Sequence, residues 1–135
     1  MAALIVPIAV EQGIDFNNTF AFANPDPAGS NDWSKLTYPD YTGWQARLQV
    51  RQFFDPASVQ LLALTTGSGL TFSTVSFVGA PVATGLNAIA VAITATQTVG
   101  LTAGTFYYDL FFDSPSGTHF RQMTGPFDVD LTVVR

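Results

Sequence analysis

The single histidine, His119, follows a turn carrying Ser114, Ser116 and Thr118, with Asp113 just ahead of it. Histidine moves protons near neutral pH, and a hydroxyl beside it with a carboxylate behind is the make-up of a nucleophilic triad. Triads, however, are assembled in space from separate segments, and these residues all fall in one short stretch. The spacing therefore specifies no base, nucleophile and orienter, and His119 reads as a solvated hairpin residue. Two carboxylate pairs, Asp109/Asp113 and Asp128/Asp130, have the groups for acid and base work at a glycosidic bond. Nothing around them supplies the apolar setting that raises one pKa. They read as outward strand faces, where charge keeps edges soluble and discourages unwanted pairing. No catalytic residue is assigned, and the chain is expected not to be an enzyme.

Metal and cofactor chemistry is equally thin. With no cysteine, disulfides and thiolate sites are excluded, and one histidine gives zinc little support. Asn24, Asp26, Asn31, Asp32 and Asp40 could offer oxygen ligands to calcium, but their spacing matches no EF-hand, and the neighbouring prolines already account for a rigid loop. Gly67-Ser68-Gly69 is a turn, since no lysine or helix start follows to cradle a phosphate. No cofactor and no metal are expected. The residues that carry a functional reading are apolar and mostly aromatic: Trp33, Leu36, Tyr38 and Tyr41 lie close together just before Trp44. They are candidate partner contacts, with two alternatives: pinning their own loop across a core formed around Trp44, or stacking a sugar.

These residues need elements to hold them. Trp44 to Gln52 alternates without a break, with Trp44, Ala46, Leu48 and Val50 on one side and Gln45, Arg47, Gln49 and Arg51 on the other, which predicts a strand with a buried and a wet face. Thr105 to Asp113 repeats the pattern. Further strands are predicted at Met1–Val10, Ile14–Phe22, Val59–Thr65, Leu70–Val78, Leu86–Ala95, Thr118–Thr124 and Phe127–Val134, the last with Val133 facing inward. Gly125-Pro126 is read as a bend, Thr96–Gly104 as a turn or helical stub, and Asp113–Gly117 as a tight hairpin connection. Residues 23 to 43 are dense in proline, glycine, asparagine and aspartate and form a loop of about 20 residues, a length that is usually functional. One domain spanning residues 1–135 is expected. Its fold class is all-β, an antiparallel immunoglobulin-like β-sandwich of seven or eight strands, with a small β-barrel as the alternative that periodicity does not separate.

Composition narrows the partners. The chain of 135 residues is 47% apolar but only 11% charged, less than half the roughly 25% usual for soluble domains. That leaves little charge for a free exterior, so part of the surface is expected to face other subunits in a homo-oligomer or multi-copy assembly. A net charge of -5 with Lys35 as the one lysine argues against nucleic acid. Met1 to Val10 lacks a basic start and contains Pro7, which makes a poor signal peptide and suggests an edge strand. No run approaches the roughly 18 to 20 apolar residues of a membrane helix, so no membrane partner is expected.

The order of motifs resembles the small β-sandwich proteins that tailed bacteriophages carry in the virion, and is similar to the immunoglobulin-like N-terminal domain of baseplate upper proteins. The resemblance rests on VEQGIDFNNTFAFANPD at Val10–Asp26, YTGWQARLQVR at Tyr41–Arg51 and LTAGTFYYDLFFDSPSGTHFRQMTGPFDVDLTVVR at Leu101–Arg135. It departs at Pro27–Asp40, where such proteins have a short hairpin. The resemblance implies no enzyme and no fixed catalytic residue. It implies assembly in a particle, in a tail, baseplate or fibre-adaptor position, through contacts with other virion proteins; capsid decoration and a carbohydrate-binding receptor module are the alternatives.

Overall fold

The computed structural model describes residues 3–24, 26, 28–53, 55 and 57–131. Nine strands and one short helix follow in order: β1 Leu4–Ile5, β2 Ile8–Glu11, β3 Phe16–Ala21, β4 Gln45–Arg51, β5 Gln60–Thr66, β6 Gly69–Ser73, β7 Ala88–Ile93, α1 Ala95–Val99, β8 Gly104–Asp113 and β9 His119–Asp130. β4 lies between β8 and β5. Its alternation is fully expressed, with Ala46, Leu48 and Val50 buried. The strand predicted at Leu86–Ala95 forms as β7, because β-branched side chains at every second position pack on a pleated surface better than on a helix.

The strands join in the order β1-β9-β8-β4-β5-β6-β7-β3, with β2 also on β9. The predicted sheet was wholly antiparallel; the observed one is mixed. β1 and β2 run parallel to β9, and β5 meets β6 in parallel through Thr65 and Gly69. At this corner Thr65 N–H donates to the Ser68 carbonyl at 3.1 Å and Gly67 N–H to the Leu70 carbonyl at 2.9 Å, turning the chain out of one strand group into the other. The sheet therefore curls on itself. Phe72 of β6 and Phe112 of β8, far apart along the strand order, meet edge to face at 5.1 Å between ring centres. A single core of Leu48, Val50, Leu64, Leu70, Ile89, Tyr108, Phe112 and Phe127 fills the curl.

The N-terminal strand lies at an edge, as Pro7 suggested, and its pairing on β9 is interrupted at Val6-Pro7. Registers on either side, Ile5 with Thr124 and Ile8 with Phe127, bring Pro7 opposite Pro126. Both residues lack an N–H, so the ladder has its gap where neither strand could fill it. Gly125-Pro126 is accordingly not a bend: β9 passes straight through it.

Two further expectations change. β6 ends at Ser73 rather than Val78, because Asn87 takes the backbone of Val75 into its side-chain amide and Phe77 turns toward the long loop. Asp109 and Asp113 do not lie at a sheet edge, since β8 is interior, between β4 and β9. The predicted final strand is seen as far as Asp130; its residues Thr132, Val133 and Val134 lie outside those described, as do Pro25 and Pro27. The stub after β7 is α1, opened by a Thr94/Gln97 capping box. Thr98, fully buried, accepts from Gly13 N–H and so fastens α1 to the turn after β2.

Candidate interaction surface

Three connections emerge at one end of the fold. β3 ends at Ala21 opposite Ala88, where β7 begins; β6 ends at Ser73 opposite the same residue; β4 begins at Gln45 opposite Asp113, the end of β8. The described residues of 22–44, together with 74–87 and 114–118, are thereby gathered at one pole.

The long loop is tied rather than loose. Asn24 and Thr37 exchange backbone hydrogen bonds of 2.7 and 3.2 Å, closing its neck. Each of its carboxylates folds the chain locally. Asp26 accepts from Ser30 Oγ at 2.6 Å and Ala28 N–H at 3.0 Å, and these bonds hold its pKa below the usual carboxylate value. Asp32 caps a 3₁₀ turn, Trp33–Lys35, by accepting from Ser34 N–H. Asp40 is also lowered, by Thr42 Oγ1 at 2.6 Å, then Leu86 N–H at 3.1 Å and Thr42 N–H at 3.0 Å, and the Leu86 bond joins this loop to residues 74–87. The acidic residues read as calcium ligands thus serve as turn caps, and among the described residues no group of three His, Asp or Glu side chains converges on a point.

The four aromatic-loop candidates divide. Trp33 is 50% exposed and leans on Phe77 at 6.0 Å between ring centres. Leu36 is half-buried. Tyr38 is half-buried, its hydroxyl donating to the Pro81 carbonyl at 2.6 Å and accepting from Phe77 N–H at 3.1 Å. Tyr41, in contrast, is withdrawn from any partner. It is 9% exposed, ringed by Phe22, Trp44, Phe72 and Phe112, and its hydroxyl accepts from Gln122. Burial pushes its phenol pKa up. The chain's turn at Tyr41–Trp44 aims the ring inward, so it fills the core where Trp44, half-buried, had been expected to.

Two exposed side chains that complete the surface come from the neighbouring loop: Val78 at 94% and Val82 at 79% exposure. Val78 was assigned to a strand, and only the turn closed by Ala80 N–H on the Phe77 carbonyl, 3.1 Å, throws it outward. Phe120, exposed on the far side of the pole, packs on Trp44 at 5.7 Å.

The groups read for chemistry fall into two local pairs. His119 Nδ1 lies 2.5 Å from Asp113 Oδ1, while Ser116 Oγ pairs with Ser114 Oγ. Arg47 Nε is 3.1 Å from the other oxygen of Asp113 and its guanidinium lies over the Phe111 ring at 4.3 Å. Partial burial pushes Asp113 up, but the Arg47 and His119 hydrogen bonds and their charge outweigh it and leave the pKa below 3.8. At the other pole, a cleft of ≈ 410 Å³ is lined by Gln52, Leu61 and residues 100–106, with no ionisable side chain among the described residues that line it. Among the described residues no helix is long and apolar enough to cross a membrane. No protein-family model matches the chain, and no curated protein matches it in sequence.

Proposed function

We propose that this chain is a non-enzymatic structural protein of a tailed-phage virion, multi-copy and placed in the tail, baseplate or a fibre adaptor. Its finer fold is read as an immunoglobulin-like sandwich, with β6-β7-β3 as one layer and β2-β9-β8-β4-β5 as the other and α1 as the link between β7 and β8. The order of sequence motifs from Val10 to Arg135 supports the virion reading. The observation that carries the mode of action is the apolar pole of Trp33, Val78 and Val82. These side chains stand on two loops that Asp40 and Tyr38 fasten to each other and that Asn87 holds at Val75 just ahead of β7, so a partner would meet a preformed surface and little ordering entropy would be lost on binding. Large exposed apolar side chains grouped among few charges mark protein contacts.

The deciding experiment is an image of purified particles with the chain tagged at a site away from this pole, combined with Trp33→Ala and Val78→Asp variants. Density for the tag on the tail, with incorporation lost in both variants, supports the proposal. A chain missing from particles, or glycan binding that vanishes with Trp33→Ala, overturns it in favour of a carbohydrate-binding module; density on the capsid shell would make it a decoration protein.

A further inference from the structure

β3 ends the strand order, and among the described residues no strand lies beyond it. Its pairing with β7 shows which backbone groups face outward. Phe22 N–H donates to the Asn87 carbonyl, and the register pairs Phe20 with Ile89 and Asn18 with Val91. Hydrogen-bonded pairs alternate in an antiparallel ladder, so the N–H and C=O of Asn17, Thr19 and Ala21 point to the open side. Thr19 N–H confirms this direction: it is met by the side-chain oxygen of its own neighbour, Asn18, at 2.9 Å. That amide oxygen stands where a partner strand's carbonyl would be.

Proteins blunt such edges with lysine, proline, bulges or coverage. The N-terminal edge has Pro7 and a broken ladder, and β5 has a bulge near its start, where Val50/Arg51 face Leu62/Gln60, and turns into the Thr65–Gly69 corner at its end. β3, FNNTFA, has none of these devices. The layer it belongs to carries no Asp, Glu, Lys, Arg or His in β3, β7 or β6, although the chain as a whole has a net charge of -5. Two copies of an acidic protein approach with least repulsion through the one strand layer that has no charge. The same edge leaves Phe16 and Phe20 half-buried against the core, with apolar surface that a strand alongside would cover.

We infer that β3 is a self-association edge, pairing antiparallel with β3 of a second copy about a two-fold axis through Thr19. In that register Thr19 faces Thr19 of the second copy in a hydrogen-bonded pair, and Asn17 faces its Ala21. β6-β7-β3 becomes half of one sheet continuous across both copies. The pairing is isologous, so it closes at two and needs no other protein. It stands whether or not the chain belongs to a virion.

The absence of cysteine makes the test clean. Opposite residues of a hydrogen-bonded antiparallel pair have Cα atoms about 5.5 Å apart, inside the roughly 4.4–6.8 Å range a disulfide spans. Thr19→Cys alone should oxidise to a covalent dimer. Asn17→Cys alone should not, because its two copies would lie roughly 13 Å out of register, whereas mixed Asn17→Cys and Ala21→Cys proteins should cross-link to each other. Light scattering on the unmodified chain should give a concentration-dependent dimer. Thr19→Pro removes an outward N–H and its local bond to the Asn18 side chain but no bond to β7, so it should return a monomer with unchanged circular dichroism. A chain monomeric up to its solubility limit, a dimer that survives Thr19→Pro, or Asn17→Cys cross-linking as readily as Thr19→Cys would each overturn the inference.

Discussion

The Tyr108 hydroxyl donates to the Val6 carbonyl at 2.5 Å, across a pairing gap that both neighbouring strands leave open. Burial, with the charge of Asp109 beside it, pushes the phenol pKa well up, so the hydroxyl remains a donor at any ordinary pH. Val6 can approach this closely because Gly125 has no side chain: a Cβ there would lie 2.7 Å from the same carbonyl oxygen, on a backbone with φ +152°. Tyr108→Phe should cost about 1–2 kcal/mol, the loss of one buried acceptor's partner. Gly125→Ala, adding strain and a clash, should cost about 3 kcal/mol or more. In both variants hydrogen exchange should rise first in residues 4–11, ahead of β4 and β8.

Asn87 is a second pin with no apolar role. It is fully buried, accepts from Val75 N–H at 2.8 Å, and donates to the carbonyls of Val75 at 2.8 Å and Phe22 at 3.1 Å. Asn87→Ala removes the partner of three backbone groups that water does not readily reach. The expected loss is about 2–4 kcal/mol in chemical denaturation, with faster exchange in residues 74–86 and weaker presentation of Val78 and Val82.

The alternating strands β4, β7 and β8 were legible because each of their positions carries its own evidence of burial. Tyr41 and Val78 were not. Both sit where turns decide direction, and a turn of three or four residues can aim an apolar side chain inward or outward with the same composition. Asn87 was invisible for another reason: the groups it satisfies, at Phe22 and Val75, become neighbours only after the sheet curls. The mixed pairing was hidden too, since a parallel and an antiparallel neighbour ask for the same alternation in β2. Of the proposed interaction surface, Trp33 and Tyr38 could be named from the loop's aromatic weight, while the valines that share it could not.

Asp113 gives the pH prediction. Its folded pKa is depressed by Arg47 and His119, so its contribution to stability is fully present above the ordinary carboxylate value of 3.8 and is lost as pH falls through the lower folded value. Melting temperature measured from about pH 6 to about pH 2 should fall less steeply at the acid end in Asp113→Asn than in the unmodified chain. An equal acid slope in both would show that the Arg47–Asp113–His119 cluster is no more stable folded than apart.

Gly85 tests whether the two loops of the apolar pole are mechanically coupled. A Cβ at Gly85 would lie 2.5 Å from the Asp40 carboxyl carbon and 2.7 and 2.8 Å from its oxygens. The carboxylate cannot swing aside without losing Thr42 N–H, Thr42 Oγ1 and Leu86 N–H, three donors it holds at once. Gly85→Ala should therefore destabilise by about 1–3 kcal/mol, as overpacking does, and should weaken whatever binding Trp33 supports. Asp40→Ala removes the obstacle as well as the caps. The double variant should then lose less than the sum of the singles, by about 0.5–3 kcal/mol in a double-mutant cycle. Strict additivity would mean that the loop carrying Trp33 yields independently of residues 74–87, and that the pole is two adjoining surfaces rather than one.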